Sequence, residues 1–124
     1  FLDEVPSGWD TYYQNLSDYI NGTIILNPGV YPDEEYMNVS DIILSFEDDY
    51  DAYTSVTEPA WVSNYTKYRF WHIVHNATSF SNVTNISDDL NVNYLFITDD
   101  VMPNPYNTLP SYWDEEVSFA NDLD

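Results

Sequence analysis

The sequence contains five short apolar runs, and each run is followed directly by a polar or acidic residue. The runs cover residues 1–2, 24–26, 42–46, 70–74 and 94–98, and the residues that follow them are Asp3, Asn27, Glu47, His75 and Asp99. Continuous apolar runs of this length are typical of strands in a parallel sheet, which are buried on both faces. The chain is therefore predicted to build a parallel sheet whose strands each end in a polar side chain.

Helical periodicity separates several of these runs. Apolar residues recur at helical spacing in three segments: Trp9, Tyr12, Tyr13, Leu16, Tyr19 and Ile20; Phe80, Val83, Ile86 and Leu90; and Trp113, Val117 and Ala120. Such stripes form one face of an amphipathic helix. Pro59 interrupts segment 48–67, and residues 33–37 have room for one helical turn at most. The alternation indicates an α/β fold, either a (β/α) barrel or a doubly wound open sheet.

The same alternation predicts where the polar side chains meet. In both architectures the carboxyl ends of the parallel strands lie at one edge of the sheet, where such proteins place their functional sites. The residues expected at this edge are Asp3, Glu4, Asn27, Glu47, His75 and Asp99.

The length of the chain limits how much of a barrel it can form. Its 124 residues suit a single domain. A complete (β/α)8 barrel takes about 250 residues, whereas this chain starts at the end of one strand and supplies four more. We therefore expect residues 1–124 to form one incomplete barrel domain, the C-terminal half. Left open, such a half exposes apolar faces at its first and last strands.

Charge and composition exclude several classes of protein. The chain has 22 Asp and Glu against only Lys67 and Arg69, a net charge of -20. Nucleic acids and anionic membranes are bound through Lys and Arg, so both are excluded as partners, and a polymeric partner is expected to be neutral or cationic. The 18% aromatic and 44% hydrophobic content argues against disorder. Without cysteine there are no disulfides and no thiolate metal sites.

Seven Asn-x-Ser/Thr motifs, the acceptor sites of N-linked glycosylation, indicate where the protein is located. They begin at Asn15, Asn21, Asn38, Asn64, Asn76, Asn82 and Asn85, whereas chance alone predicts about two. This excess favours a secreted glycoprotein, the alternative being a chain that is merely rich in Asn, Ser and Thr. No apolar run approaches the ~20 residues that span a bilayer.

Several of these stretches resemble the spherulin 4-like proteins (spherulation-specific family 4), of the glycoside hydrolase family 135 type. The matching stretches are FLDE at 1–4, IILNPG at 24–29, SDIILSFE at 40–47, RFWHIVH at 69–75 and NYLFITDDVMPNPYNTLPSYWDEE at 93–116. The resemblance implies a (β/α)8 barrel, of which this chain supplies the end of strand 4 through strand 8. It further implies a secreted or cell-surface protein that needs no cofactor. The implied reaction is endo-cleavage of an α-1,4-linked galactosamine or N-acetylgalactosamine exopolysaccharide.

The resemblance also assigns the catalytic residues. Cleavage of a glycoside needs one protonated and one ionised carboxyl group. The resemblance implies that Asp3 is the nucleophile, Glu47 the general acid/base, and Glu4 a supporting or sugar-binding carboxylate. By sequence pattern alone, any one of the 22 acids is more often a solvated surface charge than a catalyst, and the position at the strand ends is what favours this pair.

Four more residues are predicted to bind substrate, each with a structural alternative. Asn27 is placed to donate to a sugar hydroxyl, but Asn-Pro-Gly is equally a turn signal. His75 is placed to contact sugar or orient a carboxylate, whereas His72 is expected to be a hydrogen-bonded core histidine. Asp99 is placed to contact a sugar amine, or to cap a loop.

Tyr50 is the fourth predicted substrate-binding residue. It is chosen for sugar stacking from four aromatics near the strand ends, the others being Tyr53, Trp61 and Trp113, although such residues more often serve packing. No metal is expected, because Asp48, Asp49 and Asp51 lack the glycine turn and distal Glu of a calcium loop.

Two functions from different classes follow. The first is the endo-glycosidase just described. The alternative is a non-catalytic polysaccharide-binding protein of a cell wall or spore surface, or an inactive fragment, and the sequence leaves the oligomeric state open.

Overall fold

A computed structural model describes residues 1–122 of the chain, so the last two residues of the predicted domain 1–124 lie outside the described part. Four strands, β1 (Ile25–Leu26), β2 (Ile42–Asp49), β3 (Phe70–His75) and β4 (Tyr94–Ile97), form one sheet. The strands are parallel and lie in the order β1-β2-β3-β4. The predicted parallel sheet is confirmed.

The first apolar run adds a partial fifth element to this sheet. Leu2 forms an isolated parallel bridge with Leu26. The Leu2 amide donates to the Ile25 carbonyl at 2.9 Å, and the Asn27 amide donates to the Leu2 carbonyl at 2.8 Å. Residues 1–3 therefore run alongside β1 in the same direction as the other strands.

In residues 1–122, four α-helices and three 3-10 helices lie before, between and after the strands. The α-helices are α1 (Asp10–Ser17), α2 (Tyr50–Tyr53), α3 (Phe80–Ser87) and α4 (Trp113–Asp122), and the 3-10 helices are Glu34–Asn38, Ala60–Asn64 and Lys67–Arg69. The three helical stripes of the sequence are thus confirmed, with α1 ending at Ser17 rather than continuing to Ile20. The Ser79 side chain caps α3 by accepting from the Asn82 amide, as expected for that residue type.

One face of the sheet packs against these helices. Along β3, Phe70, His72 and Val74 are fully buried while Trp71 and Ile73 are half-buried, the alternation of a strand with two different faces. Val74 belongs to a core cluster with Tyr53 of α2 and Phe80 of α3. Phe70 belongs to a second cluster, formed with the segments between β1 and β3.

The opposite face of the sheet is partly open, which corrects the expectation that the strands are buried on both faces. A cavity of about 490 Å³ lies at this face, lined by Ile25, Ile42, Trp71, Asn93, Tyr94, Leu95 and Phe96. Tyr94 is 40% exposed. In residues 1–122 the core clusters form on the helix-covered face, so the second apolar face has nothing described to pack against.

Candidate functional site

Three predicted residues meet at the carboxyl end of the sheet. The side-chain amide of Asn27 donates to Asp3 Oδ1 and to Glu47 Oε2, both at 2.7 Å. The Asn27 Oδ1 atom accepts from the Gly29 amide at 2.8 Å. Because that backbone donor needs an oxygen opposite it, the orientation of the Asn27 side chain is determined by its contacts. Asn27 is 7% exposed and links two carboxylates that are 44 residues apart in the chain (residues 3 and 47).

The shared donor limits the separation of the two carboxylates. Asp3 Oδ1 and Glu47 Oε2 each lie 2.7 Å from the same nitrogen, so they are at most 5.4 Å apart. Carboxyl groups about 5–5.5 Å apart are characteristic of glycosidases that retain anomeric configuration, whereas inverting enzymes separate them by about 6.5–9.5 Å. This upper limit for one pair of oxygen atoms is compatible with the first geometry.

The backbone around Asp3 is held by β1. Because Leu2 pairs with Leu26, the next residue of each segment points to the opposite face of the sheet, which places Asp3 and Asn27 side by side. The Val5 amide donates to the Asn27 carbonyl at 2.9 Å. Between these anchors Glu4 has a φ of 52°, a conformation that costs a non-glycine residue energy and that occurs often at functional sites.

A bulge in β2 directs Glu47 towards the same face. Leu44 pairs with Trp71, but Phe46 pairs with His72 and Glu47 with Ile73, so Ser45 is an extra residue in the strand. One inserted residue reverses which face every later side chain occupies. Without it, Glu47 would lie on the helix-covered face with Ile43. With it, Glu47 joins Asp3 and Asn27 on the open face.

A residue that the sequence did not single out completes the cluster. The Tyr106 hydroxyl donates to Glu47 Oε1 at 2.7 Å, and its ring lies 6.3 Å from that of Phe96. Burial first, and then the hydrogen bond and charge of Glu47, raise the pKa of Tyr106. The available signal was the Pro-Asn-Pro-Tyr stretch that follows the last strand at the carboxyl edge, because a proline-rich loop there is rigid enough to place a side chain.

Three cavities meet at Glu47. One of about 270 Å³ is lined by Asp3, Glu4, Asn27, Pro28, Gly29 and Glu47. A second, of about 390 Å³, adds an aromatic wall of Phe1, Trp71, Phe96 and Tyr106. A third, of about 500 Å³, is lined by Glu47, Asp48, Asp49, His75 and residues 102–106. The site is therefore a branched groove, with carboxylates at its centre and aromatic rings on one side.

The remaining predicted substrate residues lie further from the carboxylate pair. His75 lines the third cavity; it is 8% exposed, and its Nδ1 atom has no hydrogen-bond partner among residues 1–122. Tyr50 lies at the start of α2, half-buried against a core cluster. Asp99 accepts hydrogen bonds from the backbone and hydroxyl of Ser111, which lower its pKa.

Two of the aromatics that were not chosen for sugar stacking belong to the protein interior. Tyr53 is fully buried, and Trp61 packs against Tyr31 and Phe70. Both serve packing, as the sequence predicted for the aromatics other than Tyr50. Trp113 is 37% exposed on α4.

His72 is a hydrogen-bonded core residue, as the sequence predicted. Its Nε2 atom lies 3.1 Å from the Tyr31 hydroxyl and its Nδ1 atom 3.0 Å from the Tyr53 hydroxyl. Tyr31 donates in turn to Glu58 at 3.2 Å. Burial lowers the pKa of His72 to about 3, so the ring is neutral at ordinary pH and stabilises the core.

The two basic side chains lie at the opposite end of the strands. Arg69 immediately precedes β3 and donates to the carbonyls of Met37, Ser40 and Asp41. Lys67 lines a small cavity with Ser87 and Asp88. The carboxylates at the carboxyl end therefore have no Lys or Arg beside them.

Within residues 1–122 no group of three or more His, Asp or Glu side chains is arranged to hold a metal ion. No helix in this described part of the chain is long and apolar enough to cross a membrane.

Fold and site together define an α/β protein with a carboxylate pair at the carboxyl edge of a parallel sheet. The profile of one family, spherulation-specific family 4, matches residues 1–120. The chain belongs to this family, and the resemblance seen in the sequence is confirmed.

Two relatives extend this result. The chain is 31% identical over 143 residues to Spherulin-4 of Physarum polycephalum, covering 99% of this chain and 42% of that protein. Its fold is similar to that of Sph3 of Aspergillus clavatus, solved in complex with GalNAc. The TM-score is 0.76 at 19% identity, over 94% of this chain and 53% of that one. The chain thus spans about half the length of either relative.

Proposed function

We propose that this site hydrolyses an α-1,4-linked galactosamine or N-acetylgalactosamine exopolysaccharide at internal positions. The observation that carries the proposal is the Asn27 amide, which holds one oxygen of Asp3 and one of Glu47 at most 5.4 Å apart. This limit is compatible with the carboxyl spacing of a retaining glycosidase. Membership of the family and the GalNAc bound in the similar Sph3 structure support a sugar polymer as ligand.

In this proposal Asp3 is the nucleophile. Its Oδ1 atom accepts from Asn27 and from the Glu4 amide at 3.0 Å, which leaves Oδ2 free to attack. As Oδ2 bonds to the anomeric carbon, the bond to the glycosidic oxygen breaks and Glu47 gives that oxygen its proton. Water then attacks the glycosyl ester, Glu47 takes the water proton, and Asp3 leaves as a carboxylate.

Glu47 has partners suited to both of its protonation states. As a carboxylate it accepts from Asn27 and Tyr106. When protonated, it keeps the Asn27 contact on one oxygen and shares its proton with the Tyr106 hydroxyl, which accepts as well as donates. Glu4 lines the same cavity as a supporting carboxylate.

The distribution of charge supports a neutral or cationic substrate. Lys67 and Arg69, the whole basic complement of the chain, lie at the amino end of the strands. An acidic groove raises the local concentration of a polycation, and salt weakens that attraction. Asn27, Tyr50, His75 and Asp99 are retained as proposed contacts for further sugars.

The proposed architecture is part of a (β/α)8 barrel, from the end of strand 4 through strand 8. Three features support it: the parallel strand order, the helices packed on one face, and apolar side chains on the other, which faces inward in a barrel. A cooperative thermal melt of the chain by circular dichroism, at monomer size, is expected if residues 1–124 fold by themselves.

We also propose that the protein is a secreted or cell-surface glycoprotein. All seven acceptor asparagines have exposed side chains, namely Asn15, Asn21, Asn38, Asn64, Asn76, Asn82 and Asn85. Exposure is what attachment of a glycan requires. Mass spectrometry of the protein from its native source, before and after glycan removal, tests this.

The hydrolase proposal is tested with Asp3→Asn and Glu47→Gln. Each keeps the shape of the side chain but removes its acid chemistry, so we expect release of reducing ends from α-1,4-galactosamine oligosaccharides to fall about 10³-fold or more. Glu35→Gln, an exposed residue near the amino end of the strands, is the matched control and is expected to keep full activity.

Two outcomes contradict the hydrolase. Cleavage that survives in Glu47→Gln would remove Glu47 from the chemistry. A parent chain that binds the polymer but never cleaves it would favour the non-catalytic polysaccharide-binding protein.

A further inference from the structure

Tyr106 holds the second oxygen of Glu47. The carboxylate accepts from Asn27 on Oε2 and from the Tyr106 hydroxyl on Oε1, each at 2.7 Å. A carboxylate with a donor on each oxygen has one preferred orientation, because turning it breaks both contacts. The two donors come from opposite ends of the chain, 79 residues apart (residues 27 and 106).

The loop that carries Tyr106 is braced by acidic residues. Asp99 accepts from the Ser111 amide at 3.0 Å and from the Ser111 hydroxyl, and Asp100 accepts from the Thr108 hydroxyl. The Tyr106 amide itself donates to Asn104 Oδ1 at 3.3 Å. These contacts close the base of the loop on either side of Tyr106, so the position of its ring depends on them.

The Tyr106 hydroxyl stays protonated and can donate to the Glu47 carboxylate. Burial, and after it the hydrogen bond and negative charge of Glu47, raise its pKa above the ordinary value. The hydroxyl therefore keeps its proton at neutral pH. The ring packs against Phe96 and lines two of the three cavities that meet at Glu47.

We propose that Tyr106 is a positioning residue for Glu47, and that Asp99 acts through it by holding the loop in place. The effect on hydrolysis rests on the proposed function. The effect on the orientation of Glu47 does not, and is measured separately.

The experiment compares the full chain with Tyr106→Phe, which loses the hydroxyl and keeps the ring. Carbon-13 NMR of the Glu47 carboxyl, assigned with Glu47→Gln, and nitrogen-15 NMR of the Asn27 side-chain amide report on the cluster without any substrate. Both resonances are expected to move in Tyr106→Phe. Tyr68→Phe is the control, because Tyr68 is 58% exposed at the other end of β3, and it is expected to leave both unchanged.

Hydrolysis supplies the second readout. We expect kcat to fall about 10- to 100-fold in Tyr106→Phe with KM changed less than about 3-fold, since a misplaced acid slows chemistry more than it weakens binding. Ser111→Ala removes the hydroxyl donor to Asp99 and is expected to give the same changes to a smaller degree. The double variant is expected to be no worse than Tyr106→Phe, because the two residues act in series.

Different results overturn different proposals. Glu47 and Asn27 resonances that stay in place in Tyr106→Phe overturn the positioning role. Additive losses in the double variant overturn the action of Asp99 through Tyr106. A parent chain without hydrolytic activity, whose Glu47 resonance still moves in Tyr106→Phe, overturns the hydrolase and supports the positioning role.

Discussion

The two ends of the parallel strands treat their charged side chains in opposite ways. At the amino end, Arg69 donates hydrogen bonds to three backbone carbonyls, so its guanidinium group is bound within the fold. At the carboxyl end, Asp3 and Glu47 share one amide donor and still face a cavity. A charge satisfied by backbone stabilises the structure, whereas a charge held in place but open to a cavity is available for chemistry.

This comparison also explains why so acidic a chain is organised as it is. With only two basic residues, ion pairs cannot satisfy the acids at the carboxyl end. The structure uses neutral donors instead, namely the Asn27 amide, the Tyr106 hydroxyl and the Ser111 hydroxyl. Neutral donors orient a carboxylate and leave its negative charge in the groove.

The largest expected effect comes from breaking the carboxyl end with Asn27→Asp. This change keeps the acceptor for the Gly29 amide but replaces the shared donor with a third negative charge beside Asp3 and Glu47. We expect kcat/KM for the oligosaccharide to fall about 10³-fold, ~4 kcal/mol of transition-state stabilisation. Asn107→Asp, exposed on the Tyr106 loop, is the control, and an equal loss there would show a general charge effect.

At the amino end the expected effect is on stability. Arg69→Lys keeps the charge, but the single ammonium group of lysine cannot bond to three carbonyls as the planar guanidinium group does. We therefore expect the free energy of unfolding to fall by about 3 kcal/mol in urea denaturation. Lys67→Met, an exposed neighbour, is expected to change it by less than about 0.5 kcal/mol. If Arg69→Lys were as stable as the parent, the stabilising role of charge at the amino end would be contradicted.

A smaller, pH-dependent effect is expected midway along β3. Burial holds the pKa of His72 at about 3 in the folded state, below its ordinary 6.5. The unfolded chain therefore binds more protons between these values, so stability falls as pH drops below about 6.5. The slope from this residue approaches ~1.4 kcal/mol per pH unit. The free energy of unfolding, measured from pH 6.5 to 5, is expected to depend less on pH in His72→Gln than in the parent. An unchanged slope would contradict the assignment of His72 as a buried neutral histidine.

Much of the fold was predictable because its signals are local. The strands and the three principal helices follow from the spacing of apolar residues, and the buried, hydrogen-bonded role of His72 follows from its place within an apolar run. The path of segment 48–67, which carries Tyr53 and Trp61, could not be predicted, since it depends on packing rather than on periodicity. The residues predicted to bind sugar stay predictions until a ligand is measured.

The order of residues alone determined that Asp3, Asn27 and Glu47 end neighbouring elements, because parallel strands share one carboxyl edge. Two facts were decided only by the tertiary structure. The bulge at Ser45 turns Glu47 to the face of Asp3, and Tyr106, 59 residues further along the chain, reaches its second oxygen. Both depend on the packing of segments that are distant in the chain, which no local sequence pattern predicts.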